Sequence, residues 1–236
     1  MQIIKRPPKM KLVGIERWSY REPPRFRRIL PPEIPGATSD WDFNQSAWNL
    51  DTGTYISSPS SIKLLNQTMM LCKYTGTTNI SQGQIITWAK AEWGPGASYI
   101  DDFEFWFRNQ SPVGTISETR VNYWWVANNG YTIIFYVYGQ ALFIYRDTTS
   151  IYSTSSWLNK PSSWTSWNKY RITWWTDTGG AGLMIRIEWW NGTDWVKMVN
   201  DINDPQDKYA TSSINRVGGG SGACAVWFDD TEIWSA

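Results

Sequence analysis

The 236-residue sequence contains no histidine. That excludes Ser-His-Asp and Cys-His nucleophile systems, histidine general bases and histidine-ligated metals. Cysteine is nearly absent: two residues, Cys72 and Cys224, cannot define a disulfide framework. A bridge between them would need the fold to juxtapose their strands, and two buried thiols are the expectation. Charge is sparse, with Asp, Glu, Lys and Arg making up 18% of the chain. Long apolar runs are missing too. The most apolar stretch, Tyr131 to Tyr145, is interrupted by Gly139 and Gln140, so it predicts two strands and a turn rather than a membrane span. The start, Met-Gln-Ile-Ile-Lys-Arg-Pro-Pro, has no apolar core of a secretory signal. The expectation is a protein that stays inside the producing cell or leaves by lysis or assembly into a particle.

What the chain does have is tryptophan, 18 residues of it, with 12 tyrosines, and a charge divided by region. Residues 1–30 hold nine basic groups against Glu16 and Glu22, a balance of +7; the remainder holds 13 basic and 19 acidic groups, a balance of −6. Residues 1–37 also carry seven of the 12 prolines. Proline fixes φ and removes a donor, so this segment reads as an extended basic arm, not a helix or central strand. Arg17, Trp18, Tyr20, Arg25, Phe26, Arg27 and Arg28 give it charge and apolar anchors for docking on a partner. Other copies of the same chain, and other proteins of a large assembly, are the expected partners. Arg25, Arg27 and Arg28 around Phe26 also resemble phosphate- and base-contacting segments, a weaker reading given the prolines.

From residue 38 to 236 the texture is β. Strand-like alternation recurs between Gly, Asn, Asp and Ser clusters. Strands are expected at Ser61–Leu65, Gln84–Lys90, Phe103–Asn109, Arg120–Val126, Thr132–Tyr138, Ala141–Arg146, Lys169–Thr176, Leu183–Trp190, Trp195–Val199 and Ala225–Trp234. Gly139-Gln140 stands at two-residue hairpin spacing, and Asn191-Gly192 between Trp190 and Trp195 marks another hairpin. No segment has convincing helical periodicity. The expected class is all-β, a two-sheet antiparallel sandwich or jelly roll with an extended arm. In Trp124-Trp125, Trp174-Trp175 and Trp189-Trp190, neighbours on a strand face opposite ways, so at most one of each pair can be core. Trp125, Trp175 and Trp190 are the candidates for stacking on the apolar faces of a glycan.

Four stretches resemble the concanavalin A-like lectin/glucanase superfamily, especially its laminin-G-like and carbohydrate-binding jelly-roll members. They are Trp41-Asp42-Phe43 to Trp48 followed by Ser57–Lys63, then Trp167–Ile172, Leu183–Trp195, and Gly218–Trp234 with its Phe228-Asp229-Asp230. The resemblance covers roughly residues 38–236 and implies a jelly roll that serves enzymes, lectins and structural parts alike. Laminarinase-like relatives carry Glu-x-Asp-x-x-Glu on one strand. Here Asp102 and Glu104 share a face, but Phe107 stands in the third position and Glu188 is a lone strand carboxylate, so no catalytic residue is assigned. Some relatives hold structural calcium, for which Asp40, Asp42, Asp229 and Asp230 are suitably placed by the resemblance; no metal or cofactor is assigned. Asn44, Asn66, Asn79, Asn109 and Asn191 each begin an Asn-x-Ser/Thr sequon.

These features lead to an expected function. The chain reads as a non-enzymatic structural protein of a large assembly, most plausibly a virion (capsid, decoration, turret or fibre module), built in the host cytoplasm and anchored by its arm. The alternative is a carbohydrate-binding module or receptor adhesin at an extracellular surface, and the third a laminarinase-like hydrolase.

Overall fold

The computed structural model describes residues 48–51, 53–54, 56, 61–65, 82–92, 102–109, 118–121, 124–137, 139–177, 179, 182–207, 209, 214–220 and 225–235. The arm, residues 1–37, lies outside them, as do Cys72 and Cys224. The first strands are β1 (Trp48–Asp51), β2 (Ser61–Leu65), β3 (Gln82–Glu92), β4 (Asp102–Asn109), β5 (Glu118–Val121) and β6 (Trp124–Ala127). Next come β7 (Tyr131–Tyr136), β8 (Ala141–Arg146), β9 (Thr149–Thr154), β10 (Asn168–Thr176) and β11 (Leu183–Trp190). The last are β12 (Trp195–Lys197), β13 (Ile202–Asp204), β14 (Ile214–Gly220) and β15 (Ala225–Ser235). Among the described residues there is no helix.

The strands form two main antiparallel sheets. One has eight strands, ordered β1-β2-β15-β3-β10-β11-β12, with β13 also pairing β11. The other has five, ordered β14-β4-β7-β8-β9. The two-sheet sandwich implied by the resemblance is therefore present. Its core follows from period-2 alternation. Tyr170, Ile172 and Trp174 of β10 pair in register with Trp189, Ile187 and Ile185 of β11, and these six point inward. From the smaller sheet Phe103, Phe105 and Phe107 meet them, with Tyr131, Ile133 and Phe135 on the neighbouring strand. Aromatic contacts run across and within the layers: Phe107 stacks on Trp174 of the other sheet at 4.8 Å and on Tyr131 of its own at 5.2 Å between ring centroids. Such pairs contribute about 0.5–1.5 kcal/mol each beyond the area they bury.

The segment between β9 and β10 closes one end of the sandwich. Trp157 and Trp164 pack there against Phe135, and the Ala91 amide donates to the Trp164 carbonyl at 3.0 Å. The Leu158 amide donates to the Met198 carbonyl at 2.9 Å. A polar cluster lies where β7, β8 and β13 approach. Asp204 accepts from the Tyr131 hydroxyl at 2.6 Å, from the Gln206 amide at 3.2 Å and from the Arg146 guanidinium.

Several sequence expectations need correction. The expected strand Arg120–Val126 is instead the hairpin β5–β6, a separate two-stranded sheet in which Arg120 pairs with Trp125. Val126 packs on Ile134 and Tyr145, which face away from the main core. That cover explains why Tyr131 to Phe135 are all buried and β7 lacks polar alternation. The β7–β8 connection is not a two-residue turn at Gly139-Gln140. Tyr136 pairs with Ala141, leaving the four-residue loop 137–140, closed by the Gln140 amide on the Val137 carbonyl at 3.2 Å. The strand expected at Trp195–Val199 ends at Lys197, because the chain turns Met198 and Val199 into the core. Strands β9, β13 and β14 are not among the expected ones, and β1 meets the opening strand implied by the resemblance, residues 41–48, only at Trp48.

Candidate functional site

The outer face of the eight-stranded sheet is set by the same alternation that builds the core. If Ala89 and Ala91 point inward, Trp88 and Lys90 point outward. If Tyr170, Ile172 and Trp174 point inward, Lys169, Arg171 and Trp175 point outward, and on β11 so do Arg186, Glu188 and Trp190. The result is a face on which indoles and cations alternate across strands.

On β15, β3 and the start of β10, tryptophan and lysine form a checkerboard. Lys90 is the register partner of Trp227, and Trp88 that of Lys169. The Lys90 ammonium lies 4.3 Å from the Trp227 ring centroid and 5.8 Å from that of Trp167. The Lys169 ammonium lies 5.8 Å from the Trp88 ring centroid. These distances fall within the range of cation–π attraction, which holds an ammonium in place without cancelling its charge.

Toward β12 the cations are paired with carboxylates. Arg171 donates to Glu188 at 2.6 Å, and its guanidinium carbon sits 4.4 Å from the Trp195 ring centroid. Arg186 donates twice to Asp201, at 2.9 and 2.6 Å, and lies 5.3 Å from the Trp175 ring centroid. Lys197 donates to the same carboxylate at 2.9 Å. Burial would push the Asp201 carboxyl up, but Arg186 and Lys197 outweigh it and hold it below the usual range. Trp190 and Trp195, paired across the β11–β12 hairpin, meet edge to face at 5.6 Å. That hairpin is shaped by Asn191, whose side-chain oxygen accepts from the Thr193 and Asp194 amides at 2.9 and 2.8 Å, and by Gly192 at φ 103°. The Asn191 side of the loop is exposed.

The structure brings two of the three expected glycan-stacking residues to one face. Trp175 and Trp190 are both half-buried on it, while Trp174 is a buried core ring and Trp189, also half-buried, packs against the core from the other side. Trp125 belongs to β6, in the separate two-stranded sheet, and its side chain lies outside the described residues. The arm anchors Arg17, Trp18, Tyr20, Arg25, Phe26, Arg27 and Arg28 also lie outside them. Trp88, Lys90, Trp167, Lys169, Trp195 and Trp227 were not expected in the site. The signal was available in β3, where Trp88 and Lys90 alternate with two alanines.

The candidate hydrolytic carboxylates do not converge. Glu104 is buried on the side of β4 opposite the core-facing Phe103 and Phe105, so it lies on the outside of the five-stranded sheet. Glu188 lies on the outside of the eight-stranded sheet and is bonded to Arg171. The whole core separates the two, since packed sheets stand about 10 Å apart and each group lies beyond its sheet. Phe107, in the place of a third carboxylate, is a core ring. Asp102 lies in β4, with its side chain outside the described residues.

Of the aspartates placed by the resemblance for calcium, Asp40 and Asp42 lie outside the described residues. Asp229 is buried at the β15 bulge, where it accepts from the Ile56 amide at 2.7 Å and the Asp230 amide at 2.8 Å. Among the described residues, no group of three or more Cys, Asp or Glu side chains is gathered to hold a metal ion.

No protein-family model matches the sequence, and no curated protein matches it. Solved structures do resemble it in the course of the chain. The VIP36 exoplasmic/lumenal domain in a Ca2+/Man3GlcNAc-bound form is 9% identical, with 84% of this chain and 88% of that one covered and a TM-score of 0.49. Arcelin-5, a lectin-like defence protein from Phaseolus vulgaris, is 9% identical over 84% of this chain and 95% of its own, with a TM-score of 0.48. The carbohydrate-binding module CBM66 from Bacillus subtilis is 14% identical over 80% and 96%, with a TM-score of 0.42.

Proposed function

We propose that this chain is a non-enzymatic, lectin-like display module that binds saccharide on the outer face of its eight-stranded sheet. One observation carries the reading: Trp175 and Trp190 lie half-buried on that face while their neighbours point to the core side, Trp174 fully buried and Trp189 packed against the core. A folded chain can keep indoles at its surface for a ligand with an apolar face and a hydroxyl rim, and a saccharide has both. The separation of Glu104 from Glu188 speaks against a hydrolytic pair in the described residues. A glycan array probed with the full chain and with Trp175→Ala, Trp190→Ala and Trp125→Ala tests the reading. Saccharide signals that fall with the first two variants support it, and an array blank for the unaltered protein refutes it.

The basic, proline-rich arm supports a second part of the proposal: the module is mounted on a large assembly, a virion put together in the host cytoplasm. The arm would dock on other copies of the chain and on other assembly proteins, a contact that stabilises a particle without chemistry. Deleting residues 1–37 is expected to leave a folded sandwich that no longer assembles. Normal particle formation by the truncated protein would refute the arm's role.

A further inference from the structure

We infer that the saccharide bound on this face is acidic, and that Lys90 and Lys169 read its carboxylate or sulfate groups; this rests on the proposed saccharide-binding role of the same face. The cations of this face fall into two groups. Arg171, Arg186 and Lys197 each contact a carboxylate, Glu188 or Asp201, at 2.6 to 2.9 Å. Lys90 and Lys169 instead contact only indole rings among the described residues. Their ammoniums are thus positioned beforehand, since ring contacts restrict them, and among the described residues no carboxylate pairs with either. A ligand anion meeting them loses less to side-chain ordering than one meeting two free lysines.

Position supports the same conclusion. Lys169 stands beside Trp88 in register, and Lys90 stands between Trp227 and Trp167. Trp227 is buried, whereas Trp88 and Trp167 are half-buried, so a sugar ring lying on one of these two would place an equatorial substituent beside an ammonium. Charge complementarity separates the occupants. At this patch the arm's basic groups would meet like charge, and a second copy would set the same basic patch against itself. The rest of the chain, at −6, opposes a long polyanion such as a nucleic acid, whose phosphates would extend past the patch. A short acidic oligosaccharide fits the local positive charge without meeting that repulsion.

The test uses the full chain, with binding measured by calorimetry or biolayer interferometry. The probes are a chondroitin sulfate hexasaccharide, a galacturonate hexasaccharide, neutral cello- and manno-hexaoses, and a single-stranded thymidine oligonucleotide. Expected is preference for an acidic saccharide, weakening as salt rises from 50 to 300 mM. The Lys90→Gln/Lys169→Gln variant should lose about tenfold in affinity for that probe and flatten its salt dependence. Lys90→Arg/Lys169→Arg should retain binding, which guards against a folding defect. Equal binding of neutral and acidic hexaoses, or an unchanged affinity in the glutamine variant, overturns the inference while leaving the saccharide-binding role intact. No saccharide binding at all overturns both, and preference for the oligonucleotide overturns the acidic-saccharide assignment.

Discussion

The Tyr131 hydroxyl donates to the Asp204 carboxylate at 2.6 Å, joining β7 of one sheet to β13, which pairs with the other. Burial alone would push the Asp204 carboxyl up, but Tyr131, Arg146 and the Gln206 amide outweigh it and hold it below its usual value. Asp201 is shifted the same way. A carboxyl lowered in the folded state contributes stability above its unfolded pKa of about 3.9 and loses it as pH falls toward the folded value. Urea midpoints are therefore expected to hold from pH 7 to 5 and to drop below about pH 4. In Asp204→Asn/Asp201→Asn the midpoint at pH 7 should be lower and its acid dependence flatter. An acid profile identical to that of the unaltered protein would refute the assignment.

Gly182 adopts φ 105°, and a Cβ there would stand 2.6 Å from the Pro205 Cα and closer still to the Asp204 carbonyl. Both the backbone conformation and the space therefore require glycine. Gly182→Ala is expected to destabilise by about 2 kcal/mol or more and to disturb the Asp204 cluster. Gly192, also at positive φ but with open space around its missing side chain, is expected to tolerate alanine better. Thermal unfolding of the two variants side by side checks the contrast.

Trp174 and Trp175 are adjacent in sequence and different in consequence. Trp174→Ala removes a fully buried ring stacked on Phe107 and should cost about 3–5 kcal/mol. Trp175→Ala removes a half-buried ring above Arg186 and should cost about 1 kcal/mol or less. Denaturant titrations that gave equal losses would contradict the assignment of the two faces.

Glu188 is buried beneath the face and paired with Arg171. Glu188→Ala is expected to destabilise by about 1–3 kcal/mol, because it leaves the guanidinium without its carboxylate. Arg171→Met, which keeps an apolar stem beside Trp195, should recover part of that loss in the double variant. A double-mutant cycle gives the coupling directly.

How far the sequence reveals this molecule depends on which forces are local. Alternation is local, so β10 and β11 were legible with their inward and outward sets, including the outward placement of Trp175 and Trp190. Turn length is less so. Gly139-Gln140 looked like a two-residue turn, but the pairing of Tyr136 with Ala141 decides the loop, and that depends on how the strands pack. The stretch 120–126 read as one strand because its β-rich composition hides the reversal between Val121 and Trp124. Short strands such as β13 have too few residues to show a period and exist because β11 offers an edge. The lysine–tryptophan checkerboard was not legible, since it needs the register between β15, β3 and β10, which no single segment contains.

The place of β15 has a further consequence for how the molecule is made. It lies between β2 and β3, so Ile62 waits for Phe228 and Ala89 waits for the same residue. Until residues 225–235 leave the ribosome, two early strands each present an unsatisfied flank, one of them next to the indoles of the binding face. Nascent chains stalled before that point should be the ones that chaperones capture, and slowing translation beyond residue 220 should lower soluble yield far more than slowing it earlier.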